Sequence, residues 1–195
     1  MHIHRSSSRR SRGFTLIEML AVLVIIGILL AFLAPTLLGG SASAKAEALD
    51  KQATNLSNNL GLLAGACGVS TAVAGNPLPA TGSQLMDVLM QGKSVAAAAY
   101  TACFDTSDTK PMGKDFTNTG TGWSLMGFPV TLAGGGTSPV QVQYASVPDS
   151  ITLKIEERHN SSLTALAASD TTDPFLQYST AAADGTRTVT FFEPQ

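Results

Sequence analysis

Residues 14–34 read FTLIEMLAVLVIIGILLAFLA, an apolar run in which Glu18 is the one charged side chain. A helix rises about 1.5 Å per residue, so a helix of this length covers about 30 Å, the thickness of the hydrocarbon layer of a bilayer. The run therefore predicts a helix that spans a membrane. It also explains the composition of the 195-residue chain, which is 44% hydrophobic and only 13% charged.

Charge is distributed unevenly on the two sides of this run. Residues 1–12 carry four arginines and no acidic side chain, whereas residues 13–195 carry eight basic and fourteen acidic side chains, a net charge of −6. Basic residues ahead of a membrane span stay in the cytoplasm, so we expect the chain after Pro35 on the other side. The acidic balance also argues against a nucleic-acid partner, because phosphate binding requires basic side chains.

A secretory signal peptide and a plain membrane anchor are the simpler interpretations of the run. Ala42, Ser43 and Ala44 form a triplet that signal peptidase accepts, but signal cores span about 7 to 15 apolar residues and this run is longer. A plain anchor leaves Glu18 unexplained, because a lone carboxylate in an apolar span costs about 2.5 to 3.5 kcal/mol on insertion scales. Glu18 therefore needs a cationic partner.

The sequence GFTLIE, from Gly13 to Glu18, follows the basic leader directly and opens the apolar run. This order of leader, glycine, aromatic residue, glutamate and span resembles the N-terminus of type IV pilins, including the pseudopilins of type II secretion. The resemblance implies that a prepilin peptidase cuts between Gly13 and Phe14 and that the new amine of Phe14 is methylated. It also implies that Glu18 neutralises the Phe14 amine of a neighbouring subunit.

The hydrophobic period continues beyond the apolar run. Residues recurring every three or four positions form an apolar stripe on one face of a helix. The stripe consists of Leu49, Ala53, Leu56, Leu60 and Leu63. We therefore expect one long helix over residues 14–64, whose second half buries the stripe against a globular head; a short coiled coil is the alternative.

Pro35, Gly39 and Gly40 lie just after the apolar run. Because proline removes a backbone donor and glycine is a poor helix former, these residues are the predicted place where the helix bends on packing into a filament. We expect the chain to have four segments. They are a cleaved leader at 1–13, a transmembrane and filament-core helix at 14–38, its amphipathic continuation at 39–66, and a globular head outside the cytoplasm at 67–195.

Alternating hydrophobicity in the second half of the chain predicts an antiparallel sheet, and hence an α+β, pilin-like fold in which the long helix packs on the sheet. The expected strands are 123–132, 140–144, 151–155 and 187–192, with turns at 134–136 and 183–185 and short helices at 81–90 and 94–103. The segments 129–132, 142–144 and 147–148 are loosely similar to type IVb-like pilins.

Cys67 and Cys103 are the two cysteines of the chain. Because their region is expected outside the cytoplasm, we expect a disulfide between them, and two buried free thiols are the alternative. Many pilins instead place their disulfide near the C-terminus. The C-terminal segment of this chain is therefore expected to depend on packing alone.

No arrangement of residues in the sequence indicates an enzyme, a metal centre or a cofactor. His159, expected on a loop, is the one histidine outside the leader. Asp170, Asp173 and Asp184 are candidates for a calcium site of the kind that some pseudopilins have, but their spacing matches no calcium loop. We therefore expect neither a catalytic residue nor a metal.

The resemblance thus implies a structural protein that is held in the bacterial inner membrane and then polymerises into a pilus for adhesion, motility or conjugation. The expected partners are the prepilin peptidase, other copies of the chain and related pilins, and the inner-membrane assembly machinery. A pseudopilin acting from the periplasm and a ligand-binding minor pilin are alternatives within the same family. A membrane-tethered binding or enzymatic domain is the remote alternative.

Substitution of Gly13, for example Gly13→Leu, is expected to block removal of the leader, because the peptidase of this family cuts after that glycine. Electrophoresis would then show only the uncut precursor of 20.1 kDa. The variant Ser8→Ala, altered within the leader itself, should be cut normally. A Gly13→Leu chain whose N-terminal sequence still began at Phe14 would contradict this assignment.

Overall fold

A computed structural model describes residues 16–107 and 109–193, with residue 18 and residues 27–40 described by their backbone alone. The chain divides into two compact units, Met1–Ser41 and Ala42–Gln195. Gly13 and Phe14 lie outside the described residues.

Helix α1 extends from Leu16 to Cys67, as the sequence predicted to within a few residues. From Ala42 onward it belongs to the second unit, where the apolar stripe is buried and forms one core with the sheet. The helical backbone continues through Pro35, Gly39 and Gly40, so a bend there on filament packing stays a prediction. Within residues 16–107 and 109–193, no helix is long and apolar enough to cross a membrane.

Short helices connect α1 to the sheet. Helix α2 occupies Leu85–Gln91, which overlaps the predicted helix at 81–90 and extends one residue beyond it. It ends at Gly92, whose φ of 69° suits a residue without a side chain. The alanine-rich segment 94–103 does not form one helix. It contributes to two short 3₁₀ turns, Gly92–Val95 and Ala98–Tyr100, before helix α3 at Cys103–Thr106.

In the described part of the chain, six antiparallel strands form one sheet, which confirms the predicted α+β class. The strands are β1 (Thr117–Asn118), β2 (Trp123–Leu125), β3 (Phe128–Gly134), β4 (Val140–Pro148), β5 (Leu176–Tyr178) and β6 (Thr186–Glu193), in the spatial order β1-β2-β3-β4-β6-β5. Alternate residues of β4 and β6 are buried, and the ring of Tyr144 meets that of Phe191 edge to face at 5.9 Å. One face of the sheet therefore supplies the core.

The expected strand at 123–132 is two strands joined by a tight turn. Met126 and Gly127 have φ values of 53° and 88°, the left-handed conformation that two-residue hairpin turns of the primed type require. The continuous hydrophobic pattern hid this turn, because Met126 is an unusual residue for a left-handed position.

The expected strand at 151–155 is wrong. These residues belong to helix α4 (Asp149–His159), in which Ile151, Thr152, Ile155 and Glu156 form the buried face. Ile151 and Ile155 are four residues apart, a spacing that fits a helix as well as a strand. His159, expected on a loop, is the last residue of this helix.

A disulfide joins Cys67, at the end of α1, to Cys103, at the start of α3, with their Cα atoms 5.1 Å apart. It closes a loop with a sequence separation of 36 residues. The bond therefore ties the irregular connection, rather than the sheet, to the long helix.

The double variant Cys67→Ser, Cys103→Ser is expected to lower the free energy of unfolding by about 3 to 4 kcal/mol, because opening the loop raises the conformational entropy of the unfolded chain. Thermal denaturation followed by circular dichroism measures the change. A reductant should lower the midpoint of the unaltered protein to that of the variant and leave the variant unchanged. Equal midpoints for the unaltered protein and the variant without reductant would contradict a stabilising role for the disulfide.

Candidate functional site

The first turns of α1 expose apolar side chains on every side of the helix. Leu16 is 83% exposed, and the large apolar residues that follow it are also exposed. They are Ile17, Met19, Leu20, Val22, Leu23, Val24, Ile25 and Ile26. A helix that is apolar all round is stable when it is surrounded by lipid or by other helices. We call residues 16–26 the apolar segment, and it is the candidate assembly site.

The predicted assembly residue Glu18 lies within this segment. Its backbone is part of α1, while its side chain lies outside the described residues, as do Gly13 and Phe14. Cleavage after Gly13, methylation of Phe14 and pairing of Glu18 with a neighbouring amine therefore stay predictions.

Polar contacts tether the second half of α1 to helix α4. Asp50 lies 3.4 Å from Nε of Arg158 and 3.7 Å from Nε2 of His159, and Glu47 lies 3.7 Å from Nη1 of Arg158. Such partly exposed pairs contribute at most about 1 kcal/mol each. They fix the position of α4 along α1 more than they stabilise the head.

The same part of α1 also contacts β6, close to Tyr144 of β4. Thr54 Oγ1 donates a hydrogen bond to Oε1 of Glu193 at 3.1 Å, and Tyr144 is fully buried nearby in the core. Burial raises the pKa of Tyr144 above its usual range, and the charges of Glu193 and Asp50 act in the same direction. Burial also raises the pKa of Glu193, whereas the hydrogen bond from Thr54 lowers it. Burial therefore disfavours the charged form of both groups.

Glu156 is a buried carboxyl group on α4. It is only 5% exposed, and its Oε2 has no hydrogen-bond partner among the described residues. Burial raises its pKa, and the neighbouring charges of Asp170 and Asp173 raise it further, whereas His159 lowers it. The folded chain therefore holds an acid that resists ionisation.

The aspartates proposed as calcium candidates stabilise turns. Asp170 Oδ1 accepts hydrogen bonds from the backbone N–H groups of Thr172 and Asp173, and Asp184 Oδ1 accepts one from Thr186. Asp173 Oδ1 accepts one from Leu176 at 2.9 Å. In the described part of the chain, no three acidic, histidine or cysteine side chains converge to hold a metal.

Arg187 is a structural residue that the sequence interpretation missed. It is 7% exposed, its Nε donates to Asp149 Oδ1 at 2.6 Å, and its Nη1 donates to the carbonyl oxygens of Ala168 and Ser179. Its guanidinium also lies 5.3 Å from the centre of the Tyr178 ring. The C-terminal segment is therefore held by a buried arginine as well as by packing, which corrects the expectation of packing alone.

The sequence did contain a signal for this role. Arg187 alternates with Val189 and Phe191 along β6, so the period of the strand places it on the inward face. An inward arginine requires several acceptors, because a buried guanidinium without partners is costly.

Residues 8–34 match the family model described as the prokaryotic N-terminal methylation motif. The match covers the end of the leader, the GFTLIE sequence and the apolar run, so the resemblance noted from those residues is confirmed. Residues 8–34 therefore carry an N-terminal methylation motif, the kind of leader found in type IV pilins and pseudopilins. No curated protein and no solved structure gives a significant match to the chain.

Glu156→Gln is expected to stabilise the head at about pH 7 and to have much less effect at about pH 4. The folded chain binds the Glu156 proton more tightly than the unfolded chain, so stability falls as pH rises from the ordinary carboxyl pKa of 4.5 through the raised value. An uncharged amide removes this loss. Thermal denaturation at both pH values measures it.

Glu157→Gln is the matched control. Glu157 is partly exposed and pairs with Lys154 at 2.6 Å, so the substitution removes an ion pair and should give no gain in midpoint. An equal gain for Glu156→Gln at both pH values would point to packing and contradict the titration argument.

Proposed function

We propose that this chain is a structural subunit of a type IV pilus-like filament, cleaved after Gly13, methylated on Phe14 and polymerised through its N-terminal helix. The observation that carries the proposal is the apolar segment, which exposes large side chains on all sides of α1. The methylation motif at residues 8–34 supports the processing step. In a filament, copies of the same helix would cover one another.

Before assembly, the proposed subunit is anchored in the inner membrane by residues 14–38 with its head outside the cytoplasm. The four arginines of the leader support this orientation. The disulfide between Cys67 and Cys103 supports it independently, because such bonds persist in oxidising compartments. The proposed partners are the prepilin peptidase, related pilins and the inner-membrane assembly machinery.

Glu18 has a specific role in this proposal. It is the one carboxylate in residues 14–34, and cleavage before Phe14 creates an amine at the head of the same apolar helix. Pairing the Glu18 carboxylate with the Phe14 amine of a neighbour would remove two uncompensated charges from an apolar bundle. It would also fix the register of otherwise non-directional packing.

Glu18→Ala is expected to leave cleavage after Gly13 intact and to reduce filament assembly severely, because the neighbouring amine loses its counter-charge. Electron microscopy of material sheared from the cell surface measures assembly, and N-terminal sequencing measures cleavage. Glu47→Ala removes an exposed carboxylate of the same helix and should assemble normally. Normal filaments from Glu18→Ala would overturn the proposed pairing.

The same microscopy separates the proposed pilus subunit from the alternatives. Surface fibres whose subunit begins at Phe14 support a major pilin. Fibres built from another subunit, with this chain present in small amounts, would indicate a minor pilin. A processed chain without surface fibres would indicate a pseudopilin, and a chain not beginning at Phe14 would indicate a membrane-tethered domain.

A further inference from the structure

A groove of about 780 Å³ lies in the head. Residues of the connection after α1, the first turns around α2, the β1–β2 hairpin and β3 line it, and all of them belong to the second unit. Its volume falls within the range of about 300 to 1,000 Å³ that is typical of small-molecule sites. The groove is separate from the apolar segment, so what it binds does not depend on the filament role.

The lining of the groove is polar but almost uncharged. Hydroxyl and amide side chains contribute most of its polar groups: Thr81, Ser83, Asn118, Thr121 and Thr131. Among the described residues that line it, Asp87 alone is ionisable. Small-molecule sites are usually mainly apolar with a few polar groups, so this lining suits a ligand that is itself rich in hydrogen-bonding groups.

The protein itself occupies both oxygens of Asp87. Oδ1 accepts a hydrogen bond from Nε1 of Trp123 at 2.8 Å, and Oδ2 accepts one from the backbone N–H of Gln84 at 2.7 Å. The carboxylate therefore joins α2 to β2 and is poorly placed to serve as the counter-ion of a cationic ligand. An anionic ligand would find no lysine or arginine in the lining.

Local hydrogen bonds hold the walls of the groove in place. Asn118 Oδ1 accepts from the N–H of Gly120 at 2.7 Å, and Thr119 Oγ1 donates to the carbonyl of Gly122 at 3.1 Å. On the opposite wall, Asn76 Oδ1 accepts from the N–H of Leu78 at 3.1 Å. A preformed site loses less conformational entropy on binding than a flexible one.

We propose that this groove binds a short neutral saccharide. A saccharide presents many hydroxyl groups and no charge, which matches a lining of hydroxyls and amides without a free counter-ion. Trp123 is among the lining residues, although only 7% of it is exposed. Its N–H is already bonded to Asp87, so the hydroxyl and amide side chains, rather than the indole ring, supply the ligand contacts.

The position of Trp123 supplies a direct assay, because it is the single tryptophan of the chain. The full chain, held in a detergent without a sugar head group, is titrated separately with maltose, lactose, cellobiose and N,N′-diacetylchitobiose while tryptophan emission is recorded. We expect a saturable change in emission with at least one disaccharide. Inorganic polyphosphate, the anionic probe, should give none.

The double variant Thr81→Val, Ser83→Ala removes two lining hydroxyls and is expected to weaken saccharide binding about tenfold. Both residues are at least partly exposed, so the fold should survive, which circular dichroism checks. The matched control Ser161→Ala, Thr164→Val removes two hydroxyls outside the groove and should bind as the unaltered chain does.

Three results would overturn the proposal. They are no saturable change with any of the four disaccharides, equal affinity in the groove variant and the unaltered chain, and tighter binding of polyphosphate than of every disaccharide. Because none of these readouts involves fibre formation, failure here is distinguishable from failure of the filament proposal.

Discussion

Burial of the apolar stripe of α1 beneath the sheet is the interaction on which the head depends. Each fully buried leucine contributes about 1.5 to 3 kcal/mol relative to exposure, and the stripe supplies four leucines to one continuous core. The sheet has one buried face, so without the stripe that face would lie open to water. The partly exposed ion pairs around Asp50 then fix the position of α4 along α1 and contribute little to stability.

The apolar segment of the same helix differs from the stripe in how its side chains must be covered. In the second unit α1 buries one apolar stripe, whereas in residues 16–26 large apolar side chains are exposed on all sides of the helix. A single amphipathic face is satisfied by one partner surface, but an apolar surface on all sides requires surroundings on all sides. The head therefore covers the apolar stripe of the helix, whereas a lipid layer or other subunits must cover the apolar segment.

The sequence predicted the features that repeat with a clear period. The stripe, strands β4 and β6, and the N-terminal motif follow directly from spacing or from an ordered set of residues. The strand expected at 151–155 failed because two isoleucines four residues apart satisfy both periods, and the turn at Met126 failed because it lacks a typical turn residue. Strand β5 and the Arg187 network were missed because they depend on contacts between distant segments. The groove escaped prediction for the same reason, since its walls come from segments about 40 residues apart in the chain.

The two cross-links of the head explain where a binding groove can form. The disulfide fixes the connection to α1, and Arg187 joins β6 to the start of α4 and to the chain on either side of β5, at Ala168 and Ser179. Between them, the stretch from residue 73 to residue 83 is fixed by backbone hydrogen bonds to residues 95–97 and to Gly134, and by the buried side chain of Leu78. The exposed side chains of this stretch, such as Thr81, belong to neither the stripe nor the buried sheet face. These exposed side chains can carry ligand specificity without disturbing the fold, because they lie outside the core on which the head depends.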